Sequence, residues 1–401
     1  MAAIKIKENI YSVGVLNPNM HIFDVIIKSD YGTSYNAYLI KSEKNVLIET
    51  VHPRFCDEYF ENIASVIDIG KIDYVIMNHC EPDHSGSLAR LIELAPQIQV
   101  LASQAGSIYL KSITNKPDLR IRAVKDGETL DIGGGKVLRF LSAPFLHWPD
   151  SMFTWLESDK VVFTCDFLGT HYCEPRMFDS RVIYKNKYEN AFQGYYNAIF
   201  GPFKPYVFKG LEKLSPLDAD FVCTSHGPVL TKGAFLEEAK ARYFQWSTPA
   251  PREKTYIPLF YCSAYGNTAQ LAVEISKGIS SVLHEAKVEA FDINENDIGQ
   301  LELKINESDA FMLGTPTINR DAVAPVWRLA SSIDAVNAKG RRCAVFGSYG
   351  WSGEGVPMVS DRLRSLKLDV FEEGFTCRFV PSDEEAAAAF EFGKRFALNL
   401  K

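Results

Sequence analysis

The stretch Asn78-His79-Cys80-Glu81-Pro82-Asp83-His84-Ser85-Gly86 constrains the fold of this chain more than any other. It packs four metal-type side chains, His79, Glu81, Asp83 and His84, into six residues. Upstream, residues 73–77 read as a short buried strand, and downstream residues 87–94 read as a helix. The cluster therefore occupies a strand-to-helix loop at the carboxyl end of a strand, where α/β proteins place their chemistry. Pro82 stiffens the loop and cannot continue a helix. A chance surface turn would also favour Asp, Glu and Pro, but two imidazoles and two carboxylates at this spacing suit a metal ion better. Alternation along the loop turns the Cys80 thiol to the opposite side, so it is left out of the ligand set.

The 401 residues are too many for one hydrophobic core, so two or three domains are expected. A net charge of −7 argues against a general nucleic-acid binder. The eight cysteines are scattered and form no Cys-x-x-Cys pair, which argues against a disulfide framework or a thiolate iron site. No apolar run of about 18 residues predicts a membrane span, and the first residues lack a signal-peptide core. A cytoplasmic location is the expectation.

Residues 9–50 read as strands at 10–15, 21–27, 36–40 and 45–50, with turns at 17–19 and 31–33. A helix over 53–67 follows, and then the metal loop. Further strands are expected near 98, at 136–142, 151–155 and 161–164, and before His226. Three of these strand ends again present a metal-type residue: His147, Asp166 and His226. Each has an ordinary reading as a surface or capping residue. Their recurrence after His84, with 62, 18 and 59 residues between successive positions, favours one shared site.

Residues 247–252, with Pro249 and Pro251, form the clearest linker. It divides an expected domain 1–249 from a domain 254–401. Beyond it, strands at 255–262, 287–291, 310–314 and 342–347 alternate with helices, and a helix over 383–398 closes the chain. Such alternation predicts a parallel sheet covered on both faces. Three strand ends carry candidate cofactor loops. The first is Ser263-Ala264-Tyr265-Gly266-Asn267-Thr268, at a helix N-terminus that can cradle a phosphate. The second is Thr315-Pro316-Thr317-Ile318-Asn319, and the third is Ser348-Tyr349-Gly350-Trp351-Ser352. No Gly-x-Gly-x-x-Gly loop points to a dinucleotide.

The first loop resembles the metallo-β-lactamase signature, with Glu81 where the hydrolases carry a second His. A harder, anionic ligand there suits iron better than zinc. The whole pattern of His79, Glu81, Asp83, His84, His147, Asp166 and His226 resembles the flavodiiron protein family. The loops of the second half resemble those with which flavodoxins grip FMN. The resemblance covers essentially the whole chain. It implies an αββα metallo-β-lactamase-like domain followed by a flavodoxin-like doubly wound sheet. On that resemblance His79, Glu81 and His147 would hold one iron, Asp83, His84 and His226 the other, and Asp166 would bridge them. The His84 position is inconstant as a ligand in such proteins. Tyr195 matches a position beside the diiron pocket, with aromatic packing as its plainer role. His21 reads better as a strand-edge surface residue.

The same resemblance implies FMN and two non-haem iron ions as cofactors, and reduction of O2 to water, NO to N2O, or both. It implies a separate donor such as rubredoxin or a flavin reductase, and a head-to-tail homodimer or dimer of dimers that brings FMN of one subunit to the irons of another. Neither nucleic acid nor membrane is an expected partner. A zinc hydrolase fused to a flavodoxin domain is the alternative, and an electron carrier with a structural metal is a third reading. The basic residues Lys111, Lys116, Arg120, Arg122 and Lys125 could meet an acidic carrier, though a solvated face explains them more simply.

Overall fold

A computed structural model of the chain describes residues 3–25, 27–249 and 254–400. Its packing divides the chain into Met1–Pro249 and Ala250–Lys401.

The first unit is built on two sheets. One has seven strands, in the order Ile4–Lys7, Ile10–Ser12, Tyr38–Ile40, Asn45–Ile48, Ile72–Met77, Gln99–Ala102 and Ile121–Ala123. Its pairing changes from antiparallel to parallel at Asn45–Ile48 and Ile72–Met77. From there on, helices such as Cys56–Ala64 and Gln104–Ile113 supply the crossovers that parallel pairing needs. The other sheet has six strands, from Thr129–Asp131 to Leu230–Thr231. Alternation along the strands sends side chains to opposite faces. Tyr38, Ile40 and Ile48 face the second sheet's Phe140, Leu156 and Phe163. Leu39 and Leu47 instead pack under the helical residues Tyr59, Ile63 and Leu91. The outer face of the second sheet is covered in the same way, by helices carrying Phe192, Val207 and Tyr243. The result is the expected αββα sandwich.

The second unit is a parallel sheet in the order Lys287–Asp292, Tyr256–Tyr261, Ala310–Ile318 and Arg342–Tyr349, with Asp369–Val370 and Phe375–Arg378 beside the last. Hydrophobic cores lie on both faces. The order reverses beside the first strand, as in doubly wound folds, and the loops at the strand carboxyl ends meet there. The helices Asn267–Ser280 and Asp383–Leu398 pack with their backbones touching. A Cβ on Gly278 would lie 2.0 Å from the Phe390 carbonyl, and one on Gly393 would lie 2.2 Å from that of Ile275.

Pro82 continues no helix but starts one, the single turn Pro82–Ser85. At the first helical position its missing N–H costs nothing. Three local expectations need correction. Residues 21–27 are no continuous strand. Ile22–Phe23 and Ile27–Lys28 form a short hairpin, with Asp24 and Val25 at φ 45° and 67°, and Val25 is 88% exposed. Residue 26 lies outside the described residues. The expected strand 10–15 breaks after Ser12 and resumes at Val15–Asn17, which pairs with Thr33–Tyr35. Finally, residues 315–318 and 348–349 belong to strands rather than loops, since Ala310–Ile318 and Arg342–Tyr349 run on in parallel register through Pro316 and Ser348. Of the linker, residues 250–253 fall outside the described ones. Among the described residues no helix is long and apolar enough to cross a membrane.

Candidate metal centre

The metal loop is held by its backbone. Leaving the strand Ile72–Met77, the N–H groups of Asn78 and His79 donate to Glu49 Oε1, at 2.7 and 3.2 Å. The Cys80 N–H donates to Asp150 Oδ2 at 2.7 Å. The turn Pro82–Ser85 then swings Asp83 and His84 inward, and the His84 carbonyl accepts from the Thr50 N–H at 2.9 Å. The single helical turn thus brings Asp83 and His84 into one group.

Seven side chains form two groups. His79, Glu81, His147 and Asp166 make the first, and Asp83, His84 and His226 the second. Within each, potential ligand atoms lie within 4.8 Å of one another. In the first, Glu81 Oε2 is 3.2 Å from His79 Nε2 and 3.1 Å from His147 Nε2. In the second, Asp83 Oδ1 is 3.3 Å from His84 Nε2, and Oδ2 is 3.2 Å from His226 Nε2. Asp166 faces both groups. Its Oδ2 is 3.5 and 3.4 Å from His79 and His147, and its Oδ1 is 3.3 Å from both His84 and His226. Every ligand atom named is a His Nε2 or a carboxylate oxygen. The opposite edges of two rings are anchored: His226 Nδ1–H donates to the Ser34 carbonyl at 2.7 Å, and His79 Nδ1 is 3.1 Å from Asp150 Oδ2. Such bonds leave the Nε2 lone pair free for a metal.

The residues fit metal ions on a further count. Both oxygens of Asp83, Oδ1 of Asp166 and Nε2 of His84 are buried without a hydrogen-bond partner. Buried carboxylates in that state are costly unless a cation neutralises them. Burial opposes ionisation of Asp166, yet the imidazoles of His84 and His147 hold its carboxyl well below the usual range. Conversely, burial opposes charging of His84, but Asp83 and Asp166 pull it up to about 10. Protons and metal therefore compete for this site.

Other residues were not evident in the sequence. Burial pushes the Glu49 carboxyl up to about 8, with His84 and His79 opposing. His171 is buried, with its ring 4.8 Å from that of His226 and Nδ1 3.0 Å from Thr33 Oγ1. Asp24 stands at the mouth, its carboxyl pushed up to about 6 by desolvation and by Glu81 and Asp83. Glu49 ends an apolar run, and Asp150 follows His147 by three residues. Neither position differs in sequence from an ordinary turn. Tyr195 is buried against His171, ring centroids 4.8 Å apart, and 6.1 Å from His226. His21 is exposed but lines, with Asp24, Glu81 and Asp83, a cavity of about 630 Å³ that opens on the site. Cys80 belongs to neither group. Its Sγ would lie 2.9 Å from a Cβ on Gly106, against the helix Gln104–Ile113. Of the basic residues, Lys116 and Arg122 are paired with Glu93 and Glu128.

In the second unit a cleft of about 300 Å³ opens at the strand carboxyl ends. Ala264, Tyr265 and Asn267 line it from the first loop, Pro316, Thr317, Ile318 and Asn319 from the second, and Ser348, Tyr349, Gly350, Trp351 and Ser352 from the third. Ser263, Gly266, Thr268 and Thr315 are not lining residues. Thr268 and Thr315 are buried: Thr268 Oγ1 is 2.8 Å from Ser348 Oγ, and Thr315 Oγ1 donates to the Pro316 carbonyl. Ser263 Oγ accepts from the Ala269 N–H at 3.2 Å. Gly266, at φ 83°, has open space where a Cβ would stand, and as the residue before the helix it has no side chain of its own to cap it. That helix start can receive a phosphate. Tyr265 and Trp351, 92% and 84% exposed, offer free aromatic faces to a planar ring.

Comparison with known proteins agrees with both halves. A family profile described as ODP family beta lactamase matches residues 33–227, and a flavodoxin profile matches residues 259–393. The flavo-diiron protein FprA2 of Clostridium acetobutylicum is 63% identical over 400 residues, covering 100% of both chains. The anaerobic nitric oxide reductase flavorubredoxin of Vibrio vulnificus is 34% identical over 90% of this chain and 72% of its own. The rubredoxin oxygen:oxidoreductase structure from Desulfovibrio gigas superposes with a TM-score of 0.73 at 28% identity, over 99% of this chain and 98% of that one. This chain belongs to the flavodiiron protein family. It is a flavodiiron oxidoreductase, of a family whose members include O2 and NO reductases.

Proposed function

We propose that this chain reduces O2 to water, NO to N2O, or both, at two iron ions. His79, Glu81 and His147 would hold one ion, Asp83, His84 and His226 the other, and Asp166 would bridge them. The observation that carries this reading is the placement of Asp166, one oxygen toward each pair of imidazoles. One closed four-coordinate structural site would need no second group. Paired iron supplies electrons and an open position for a diatomic molecule, and FMN in the second unit supplies further electrons. The chain's own part is to supply the ligands and to orient His79 and His226 through their Nδ1 edges. Tyr195 and His171 form an aromatic wall beside the second group.

The donor is a separate protein, a rubredoxin or a flavin reductase. The relatives named for rubredoxin and flavorubredoxin support that choice. The chain would work in the cytoplasm as a head-to-tail homodimer or a dimer of dimers, so that FMN of one subunit serves the irons of another. A sedimenting monomer with full turnover would exclude this assembly.

The test is metal and flavin content after purification without oxygen, followed by O2 and NO consumption with a reduced donor. About two irons and one FMN per chain, with turnover of either gas, is the expected result. Zinc that iron cannot replace, together with no gas consumption, would overturn it in favour of a hydrolase.

A further inference from the structure

The cleft of the second unit contains a single charged side chain. Among the described residues lining it, Arg320 is the only Lys, Arg, Asp or Glu. The motifs legible in the sequence stopped one residue short of it, at Asn319. Arg320 is placed by a hairpin. The strand Ala310–Ile318 folds back on Asp321–Ala322, and the two residues between, Asn319 and Arg320, have φ of 56° and 60°. Two consecutive left-handed residues make the tight turn whose twist matches its strands. Arg320 is thereby fixed at the tip of the second loop, where it lines the cleft.

The guanidinium has one anchor. Its Nε is 2.9 Å from Glu354 Oε1. Glu354 immediately precedes the helix Gly355–Ser365 and follows Ser352 of the third loop. The ion pair therefore joins the second and third loops. The other carboxylate oxygen of Glu354, Oε2, is buried without a hydrogen-bond partner. Among the described residues no other partner engages the Arg320 guanidinium. Its remaining donors are free to face a ligand, and Glu354, which offsets part of its charge, does not itself line the cleft.

We infer that Arg320 sets the reduction potential of the flavin bound in this cleft, by favouring the anionic reduced ring over the neutral oxidised one. The inference rests on the FMN reading of the cleft. The oxidised ring takes up two electrons from the reduced donor and one proton from solvent, and retains one negative charge. A cation at the ring edge stabilises that charge and leaves the oxidised ring almost unaffected. The phosphate carries the same charge in both states. A residue that gripped only the phosphate would strengthen both complexes equally and leave the potential unchanged. The two roles are therefore separable by measurement.

The experiment is an anaerobic redox titration of the holoprotein, together with dissociation constants of oxidised and reduced FMN for the flavin-free protein. R320Q is expected to lose about tenfold in affinity for reduced FMN relative to oxidised, lowering the two-electron midpoint by about 30 mV. The shift should shrink at high salt, since the side chain is largely exposed. R320K, which keeps the charge, should restore most of it. An unchanged midpoint in R320Q, or equal weakening of both FMN states, would overturn the role of Arg320 while leaving FMN binding intact. Failure of the wild-type flavin-free protein to bind FMN would instead overturn the reading of the cleft, and the inference with it.

Discussion

His79 Nδ1 lies 3.1 Å from Asp150 Oδ2, and that same oxygen accepts the Cys80 N–H at 2.7 Å. One buried carboxylate thus orients a ring of the cluster and the backbone of the loop that carries it. Burial opposes ionisation of Asp150, yet the His79 contact keeps its carboxyl below the ordinary range. Asp150→Asn should lower metal affinity by about 10- to 100-fold, the usual effect of losing the carboxylate behind a ligating imidazole. Competition with a chelator, read by metal content, checks this. Unchanged retention would show that the ring needs no such support.

Asp24 is the exposed carboxylate at the cavity mouth, beside Glu81 and Asp83. Asp24→Asn removes a negative charge from the path of an anion without touching the seven clustered side chains. Azide should then bind the loaded protein more tightly, by about fivefold for an interaction of about 1 kcal/mol. An absorbance titration with azide measures it. Equal or weaker binding would mean that the Asp24 charge is not felt at the site.

Gly393 shows how the second unit depends on backbone contact. A Cβ there would stand 2.2 Å from the Ile275 carbonyl, across the packed helices Asn267–Ser280 and Asp383–Leu398. Gly393→Ala should destabilise this unit by about 1–3 kcal/mol, the usual cost of overpacking. Urea unfolding followed by release of flavin fluorescence gives the number. No loss of stability would mean that the helices separate more readily than their packing indicates.

Buried thiols make stability fall in alkali. Burial pushes Cys262 up to about 11 and Cys343 up to about 12, from an ordinary value of 9.0. Above pH 9 the unfolded chain loses these protons and the folded chain keeps them. The folded state then binds more protons, so stability declines as pH rises. The loss is up to about 1.4 kcal/mol per pH unit for each such thiol, from about pH 9 to the folded values. Buried tyrosines such as Tyr38 and Tyr59, also raised by burial, act in the same direction. Denaturant midpoints at pH 8 and pH 10.5 test this, and a flat profile would contradict the burial of these groups.

Much of the fold could be read from local pattern. The strand–helix alternation after residue 254 and the polar loops at strand ends are short-range features, and side-chain periodicity reports them directly. The seven clustered residues were legible for a related reason. Ligand chemistry restricts the residue types, and strand ends are places where such residues stand out against apolar runs. The hairpin Ile22–Phe23/Ile27–Lys28 was misread because its apolar residues match a strand pattern, whereas its course is decided by two left-handed residues that only the folded chain reveals.

The sequence alone determined the order of the two architectures, the identity of the seven clustered side chains and the strand ends that line the cleft of the second unit. Each is a property of residue identity and spacing along the chain. The tertiary structure decided which oxygen of Asp166 faces which imidazoles, that Asp150 and Glu49 brace the loop, and that Arg320 is the one charged side chain among the described residues lining the cleft. Those are relations between segments tens of residues apart, such as His79 and Asp150. They follow from strand register and from the single turn at Pro82, which set side-chain direction, and no local pattern encodes direction across such a separation.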